Sequence, residues 1–277
     1  MKTETTLAQP HIKAKAMERP RQSFFQRHEG AILGGTAVLI AVGFWEAVWS
    51  YTNWISPLFF SGPSAIVKAF WISLTQGNLL ADLAFSGKNF ALGFAFALTA
   101  GVVLGVIIGW YRRIRLIFDP FLNALYAAPR VAMMPLIIMW FGIDYKSKVF
   151  IVFLSAFFPI LVNTVAGIRN MDRDLLRAAR AFCASDWQIF KTLAIPGSVP
   201  FILTGVRQGV AVGLIGVVVG EMLGSSEGVG FMVAYGGQTF QTDTMLVGFV
   251  IIAFAGITLS SITERLERHF SRWRPER

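Results

Sequence analysis

Residues 171–200, MDRDLLRAARAFCASDWQIFKTLAIPGSVP, form a charged segment between two strongly apolar blocks of the chain. This segment predicts two short helices. Asp172 is placed to cap the first helix, and Asp174 lies in its first turn, where the positive end of the helix dipole favours an acidic side chain. At 100° per residue this helix has an apolar face and an arginine face. The apolar face carries Leu175, Ala178, Ala179 and Phe182, and the opposite face carries Arg173, Arg177 and Arg180.

A second helix is predicted to begin at Ser185, because Ser185-Asp186-Trp187-Gln188 has the spacing of a capping box. Pro196 and Pro200 are expected to end this helix and to mark the entry into the next apolar block. An amphipathic helix-turn-helix between two apolar blocks is a segment that another protein can bind.

The composition of the chain is that of a membrane protein. Of its 277 residues 55% are hydrophobic and 15% are charged, and its mean hydropathy is +0.58. The apolar residues are grouped in blocks of about 20 residues, the length that crosses a hydrocarbon core of roughly 30 Å. We therefore predict an all-α polytopic membrane protein. The single cysteine, Cys183, excludes an internal disulfide and a cysteine metal cluster, and no cleavable signal peptide is expected.

Six membrane-spanning helices are predicted. Asp119 is the expected N-cap of the third span, and Pro63 is expected to begin a short helix at the membrane interface. The spans are residues 30–51, 89–111, 120–141, 149–168, 199–223 and 244–263. The chain thus divides into a basic tail (1–29), a transmembrane domain (30–263, with the loop 171–198) and a second basic tail (264–277).

The distribution of lysine and arginine predicts the orientation of the spans. Most of the 25 Lys and Arg residues lie in the two tails, in the turn at 112–115 and in the loop at 169–191. By the positive-inside rule these segments face the cytoplasm, so both termini and the helix-turn-helix are expected there. The same asymmetry explains the formal charge of +9, and no nucleic-acid partner is needed to account for it.

Glycine recurs at every fourth residue in two spans, which lets helix backbones approach closely. We expect the stripe in the second span to pack within the chain. The stripe in the fifth span could pack within the chain or against another subunit. The stripes are Gly101, Gly105 and Gly109, and Gly205, Gly209 and Gly213.

Ionisable and helix-breaking residues within the predicted spans are candidates for a translocation pathway. The prolines of the third span indicate either a kinked helix beside a pathway or a purely structural kink. Arg130, beside these breaks, could contact an anion in transit or could pair within the chain with Glu46 or Glu221. Arg207 is more simply interpreted as one half of an ion pair within the chain, with Glu46 or Glu221 as its partner. The candidate pathway residues are Pro129, Arg130, Pro135, Arg207 and Glu221.

Catalytic chemistry has little support in the sequence. The three histidines, His11, His28 and His269, lie in the polar ends of the chain, and no spacing typical of a metal site occurs. The glycine-rich stretch at 220–230 contains no G-x-x-x-x-G-K-[ST] pattern. We interpret this stretch as a loop and a re-entrant turn at the outer mouth. The chain is therefore predicted not to be an enzyme, and no cofactor or metal is expected.

The helix-turn-helix resembles the cytoplasmic loop of bacterial ABC importer permeases, whose pattern is E-A-A-x-x-x-G followed by a hydrophobic-proline element. Here the pattern reads Arg177-Ala178-Ala179-x-x-x-Cys183, then Ala184-Ser185-x-Trp187-Gln188-x-Phe190 and Ile195-Pro196-x-x-x-Pro200. The likeness is greatest to permeases of the nitrate, sulfonate and taurine type and covers about residues 60–262. Further matches are Ala128-Pro129-Arg130-Val131-Ala132-x-x-Pro135-Leu136, Phe141-Gly142, and Gly220-Glu221-Met222 ahead of Gly228-Val229-Gly230.

The resemblance implies the membrane half of an ATP-driven importer, which moves a small solute, expected to be a sulfonate-, taurine- or nitrate-like anion, across the inner (plasma) membrane by alternating access. It also implies three protein partners within the lipid membrane: a cytoplasmic ATP-binding subunit that binds the ATP, a periplasmic or lipid-anchored solute-binding protein, and a second permease copy in a homodimer. The residues expected at the ATPase contact are Leu175, Arg177, Ala178, Ala179, Phe182, Cys183 and Ser185. Their apolar face could instead pack beneath the spans of its own chain.

Two positions depart from the family pattern. Arg177 stands where the family has glutamate, which removes a possible anchor for the loop or a contact to the ATPase. Cys183 stands where the family has the turn glycine, and a cysteine is strained there if the turn needs a positive φ.

Two other classes of membrane protein remain open. An ion-coupled secondary transporter that works without an ATPase should have a repeat between its halves and a membrane-embedded carboxylate pair, for which only Glu46 and Glu221 qualify. A structural scaffold would not need the broken third span or the arginines within the spans.

Overall fold

The computed structural model describes residues 24–51, 56 and 59–271, and these form helices joined by short turns. The predicted basic tails lie outside the described residues except for 24–29 and 264–271, which are helical. In chain order the helices are α1 (Phe24–Tyr51), α2 (Pro63–Thr75), α3 (Leu79–Trp110), α4 (Arg112–Ala127), a 3₁₀ turn (Arg130–Met133), α5 (Met134–Phe141), α6 (Tyr145–Arg169), α7 (Arg173–Ala181), α8 (Asp186–Ile189), a π-helical turn (Phe190–Ala194), α9 (Ile195–Gly224), α10 (Val229–Gln238) and α11 (Thr242–Ser271).

Five helical runs among the described residues are long and apolar enough to cross a membrane, and they coincide with five of the six predicted spans. The short helix predicted to begin at Pro63 is also present, as α2. The five runs are Ile32–Tyr51, Leu79–Trp110, Tyr145–Arg169, Asp186–Gly224 and Thr242–Arg268.

The third predicted span, residues 120–141, is not one helix. Asp119 does not cap it: Asp119 lies inside α4 together with Pro120, because α4 already begins at Arg112. The chain leaves α4 at Ala128, whose extended backbone (φ −63°, ψ 135°) is the conformation favoured before a proline. Pro129 therefore breaks the span, whereas Pro135 lies in the first turn of α5, where a missing N–H costs little.

Helix α6 is the centre of the bundle and packs between α3 and α9. A Cβ atom added at Gly105 would lie 2.6 Å from Thr164, and one added at Gly205 would lie 2.9 Å from Asn163. Both glycine stripes therefore face α6. The stripe of the fifth span, whose partner the sequence left open, packs within the chain.

The second helix of the helix-turn-helix does not end at Pro196, contrary to the prediction. Helices α8 and α9 are continuous through the π-helical turn, in which the Ile195 N–H donates to the carbonyl of Phe190. Pro196 then falls in the first turn of α9, where its missing N–H costs little. Its ring follows the π-helical turn, which is wider than an α-helical turn. The helix-turn-helix is thereby joined rigidly to a membrane-spanning helix.

The bundle has two distinct ends, called here the α7 end and the α10 end. Trp110, at the end of α3, lies at the α7 end, where its ring meets Phe190 at 4.9 Å between centroids. At the α10 end, α1 is attached to the start of α2: the Trp45 indole donates to the Ser61 carbonyl (3.0 Å) and the Glu46 carboxylate accepts from the Ser64 backbone N–H (3.0 Å). Glu46 thus caps α2.

Candidate functional site

Local capping builds the helix-turn-helix at the α7 end as the sequence predicts. The Asp172 side chain accepts the Asp174 N–H (2.8 Å). Ser185 and Gln188 form the predicted capping box, with reciprocal bonds of 2.8 and 3.3 Å. These side chains satisfy N–H groups that a helix start leaves without partners.

The apolar face of α7 projects away from the bundle. Leu175 is 56% exposed and Phe182 is 87% exposed. Ala178 is exposed and Ala179 is half-buried, and none of the nine residues of α7, all of which are described, is buried. The alternative in which this face packs beneath its own spans is therefore not the arrangement in the structure.

Arg177 lies on the polar side of α7 and pairs with Asp174 at 2.5 Å. Both side chains are largely exposed, so this pair contributes little to stability. Arg177 stands where the family pattern has glutamate. The pair with Asp174 holds its guanidinium one helical turn from the start of α7.

The turn does need a positive φ at Cys183, where φ is +55°. Cys183 follows the C-cap Phe182 in a Schellman-type turn, in which the Ala184 N–H donates to the Ala179 carbonyl and the Cys183 N–H donates to the Arg180 carbonyl, both at 3.0 Å. The turn thus keeps the geometry that a glycine would supply, even though a cysteine occupies it.

Replacing this cysteine with glycine is expected to stabilise the loop. A left-handed conformation costs a residue with a Cβ about 1–2 kcal/mol, and the entropy that glycine loses on folding offsets about half of this. We expect Cys183→Gly to raise the thermal midpoint of the detergent-purified protein by about 2 °C, measured by tryptophan fluorescence. Cys183→Ala keeps the Cβ and should give no such gain. An equal gain from both variants would assign the effect to the thiol.

Trp187 is a surface residue of the loop that was not among the candidate site residues. Its ring is 68% exposed and stacks on Phe190 at 5.5 Å between centroids. Phe190 in turn contacts Trp110 of α3, and Ile189 is buried. The sequence feature that could have indicated Trp187 is a large apolar residue two positions after the Ser185 cap.

Arg130 replaces a hydrogen bond that the break in the third span removes. In a continuous helix the Tyr126 carbonyl would accept the backbone N–H of residue 130; here it accepts the Arg130 side-chain Nη2–H at 2.9 Å. The guanidinium also lies 5.3 Å from the ring centroids of Tyr126 and Phe158. Its Nε–H has no partner among the described residues. Pro129 and Pro135 flank this site, and both are exposed.

Arg207 forms an ion pair, but with neither of the carboxylates that the sequence suggested. Its Nη1 lies 3.8 Å from Glu267 Oε2 of α11, and the Thr204 hydroxyl donates to the same carboxylate at 3.3 Å. Glu46 and Glu221 are engaged elsewhere, by Ser64 and Ser86. The correct partner was missed because α11 continues beyond the predicted end of the sixth span at residue 263.

Glu221 is fully buried at the α10 end and does not face an opening. Its carboxylate accepts the Ser86 hydroxyl (2.7 Å), the Gly230 N–H (3.0 Å) and the Asn89 amide (3.5 Å). Lys148, also fully buried, donates to the carbonyls of its own loop at 143 and 144 and to that of residue 224 at the end of α9. These two groups join α3, α6, α9 and α10.

The start of α10 is held by side chains from distant parts of the chain. The Gly228 N–H donates to Asp82 (2.7 Å) and the Val229 N–H donates to Ser86 (2.9 Å). Gly228 has φ +104°, and a Cβ there would come within 2.5 Å of the Glu221 carboxyl carbon. The loop predicted at 220–230 is shorter than expected and covers only residues 225–228, because α9 continues to Gly224 and α10 begins at Val229. The glycine at 228 lets the backbone approach the Glu221 carboxylate.

A cavity of about 500 Å³ lies beside this cluster at the α10 end. Its walls come from α3, from the corner before α6 and from the loop between α9 and α10. The lining residues are Phe85, Ile143, Asp144, Tyr145, Gly224, Ser225, Ser226 and Glu227.

Comparison with known proteins identifies similar membrane components. A model of the family "Binding-protein-dependent transport system inner membrane component" matches residues 101–274. A Bacillus subtilis permease protein named for aliphatic sulfonates transport, SsuC, is 34% identical over 99% of this chain and 98% of its own length. The Escherichia coli taurine transport system permease protein TauC is 32% identical over 88% of this chain and 90% of its own.

A relative with a different named solute and a solved structure also match. The riboflavin transport system permease protein RibX of Chloroflexus aurantiacus is 34% identical over 92% of this chain and 95% of its own. An inward-facing structure of the MetNI methionine ABC transporter matches with a TM-score of 0.54 at 17% identity, covering 76% of this chain and 99% of that one. At this identity the match concerns the fold alone.

Proposed function

This chain belongs to the family of inner membrane components of binding-protein-dependent transport systems and is a permease subunit of an ABC importer; from this premise we propose that α7 is the element through which a separate ATPase drives it. The observation that carries the proposal is the exposed apolar face of α7. The Phe182 side chain is 87% exposed, so its apolar surface is removed from water when a groove on a partner covers it, which favours binding.

The connection from α7 into the membrane supports a mechanical role. The second helix of the loop runs without a break from Asp186 through the π-helical turn into α9, and a hydrogen-bonded turn at Cys183 joins it to α7. In this proposal a displacement of α7 passes through that turn to α9. In this proposal the closing of an ATPase pair pushes on the apolar face of α7, which consists of Leu175, Ala178, Ala179 and Phe182. Cys183 and Ser185 shape the turn that follows. Tilting of the spans then switches access between the two sides of the membrane.

The position of α7 also suggests the partners of the chain and its orientation in the membrane. ATP is bound and hydrolysed by the cytoplasmic subunit that receives α7, so this chain supplies no nucleotide site. Both termini and the α7 end face the cytoplasm, and the α10 end faces outward, where a periplasmic or lipid-anchored solute-binding protein delivers the solute. A second copy of the chain completes the pathway as a homodimer in the lipid bilayer.

A small oxyanion is the solute class that the side chains favour. Arg130 has a buried Nε–H without a partner among the described residues, beside the broken span, and Arg207 is half exposed despite its ion pair. Both are cations within the bilayer region, where such groups mark solute pathways. The sulfonate and taurine relatives fit this chemistry, whereas the riboflavin relative shows that comparable identity accompanies a different named solute. Pro129 and Pro135 form the hinge beside Arg130, and Glu221 acts as a structural support behind the pathway.

Reconstitution in proteoliposomes tests the proposal. The chain with its partner ATPase should hydrolyse ATP faster when solute-loaded binding protein is added, and labelled taurine should accumulate only when ATP is present. ATP hydrolysis that is indifferent to this chain would contradict the proposal. Uptake by the chain alone, driven by an ion gradient, would instead support a secondary transporter.

A further inference from the structure

Gln208 presents an amide to the open face of a membrane-spanning helix. It is exposed in the structure, and it lies on the same stripe of α9 as Ala211, Ile215 and Met222, which are also exposed. At 1.5 Å per residue, Gln208 lies about 14 Å beyond the predicted membrane entry of α9 at residue 199. That depth is within a hydrocarbon core of roughly 30 Å.

The side chain of Gln208 is held in place from α6. The Asn163 amide nitrogen donates to Gln208 Oε1 at 3.0 Å and to the Pro159 carbonyl at 2.8 Å. Gly205, one turn before Gln208, lets α9 approach this part of α6, since a Cβ there would lie 2.9 Å from Asn163. Asn163 is therefore a positioning residue: its two N–H donors are both used, and they fix the carbonyl side of the Gln208 amide.

The other side of the Gln208 amide is left open. No residue in the described part of the chain accepts a hydrogen bond from its Nε2–H₂ group. An amide facing lipid without a hydrogen-bond partner costs about 1–3 kcal/mol, and bilayer tails supply none. The exposed amide is thus suited to a water-filled space and not to a lipid surface.

Two cationic groups lie at levels of the bundle near that of Gln208. Arg130 contacts Phe158, which precedes Asn163 by five residues on α6 and so lies about 7.5 Å nearer the α10 end. Arg207 is the neighbouring residue and extends toward Glu267. Hydrogen-bond donors therefore occur at successive levels along the bundle axis, and among the described residues the carboxylate found at this level is that of Glu267, in the Arg207 pair.

We propose that Gln208 is a solute-contacting residue of the translocation pathway, which donates its amide N–H to an oxygen of a passing oxyanion while Asn163 holds it in position. This inference rests on the proposed importer function. It adds a neutral hydrogen-bond donor to the two cationic residues, Arg130 and Arg207. A neutral donor binds an oxyanion without the long dwell time of a full ion pair, which suits a site that the solute must leave again.

Cysteine accessibility tests the position of Gln208 independently of transport. Cys183 is the sole cysteine, so Cys183→Ser provides a thiol-free background into which Gln208→Cys is introduced. The matched control is Phe254→Cys on α11. Phe254 is 72% exposed, and an apolar side chain so exposed is suited to lipid, where the reagent does not reach. In membrane vesicles, a charged membrane-impermeant methanethiosulfonate should label position 208 at least 10-fold faster than position 254. Equal, slow labelling at both positions would overturn the proposal.

Solute contact is tested separately in the reconstituted importer with taurine and an alkyl sulfonate. Gln208→Leu should raise the KM for uptake about 10-fold with a smaller change in kcat, the loss expected for one hydrogen bond of about 1.4 kcal/mol, and Gln208→Asn should restore part of it. Unchanged KM in Gln208→Leu would overturn the contact. Absence of ATP-dependent uptake by the unmodified chain would instead refute the proposed function, while the labelling result would still stand.

Discussion

Phe182→Asp is expected to abolish ATP-driven uptake while the protein remains inserted in the membrane. The native side chain is 87% exposed on the apolar face of α7, so the substitution removes no packing within the chain. In the complex the new carboxylate would have to be buried against an apolar groove, which costs several kcal/mol. A loss of about 3 kcal/mol in docking free energy lowers the affinity for the ATPase about 100-fold.

The measurement is co-purification of the ATPase with the tagged permease, together with uptake in proteoliposomes. Ala181→Asp is the matched control, because Ala181 is exposed on α7 next to Phe182 but points about 100° away around the helix. It adds the same charge at the same end of the same helix. Full uptake by Phe182→Asp, or an equal loss in both variants, would remove the apolar face as the docking surface.

Glu221→Ala is expected to produce the largest loss of stability of any single substitution at the α10 end. The change leaves the Ser86 hydroxyl, the Asn89 amide and the Gly230 N–H without their acceptor in a fully buried position. Each buried donor that loses its acceptor costs about 1–3 kcal/mol, and several donors lose theirs together. We therefore expect the start of α10 to detach and the purified protein to unfold at a temperature lower by roughly 10 °C.

Thermal unfolding in detergent and limited proteolysis between residues 225 and 241 measure this effect. Glu227→Gln is the control, since Glu227 is exposed on the same loop and should change the midpoint little. Glu221→Gln should fall between the two, because an amide offers one acceptor oxygen to three donors. A Glu221→Ala/Lys148→Met double variant should lose less than the sum of the single losses. Strict additivity would show that the two charges do not interact.

Features set by neighbouring residues were predictable from the sequence. The caps at Asp172 and Ser185 and the positive φ at Cys183 depend on hydrogen bonds and sterics within about five residues, so their patterns could be read directly. The apolar face of α7 follows from helical periodicity in the same way. Five spans followed from runs of apolar residues.

Features set by distant contacts were not predictable. The partner of Arg207 is 60 residues away in the sequence, at Glu267, and a counter-ion at such a separation has no local signal. The extension of α8 through Pro196 into α9 depended on a π-helical turn, which no proline pattern indicates. The Arg130 side chain bonds the carbonyl that a helix break exposes, so a residue proposed for transport also has a structural task.

The sequence by itself determined that this protein is a bundle of membrane-spanning helices with an amphipathic helix-turn-helix exposed at one end, since hydrophobic run length, periodicity and capping are local properties of the chain. Only the tertiary structure decided which polar groups meet inside that bundle. It brought Glu221 to the start of α10 and Lys148 to the end of α9, and it placed Gln208 on an open face beside Asn163. These placements depend on how glycine stripes let α3 and α9 pack on α6, and that three-helix contact is decided by shape complementarity over the whole bundle.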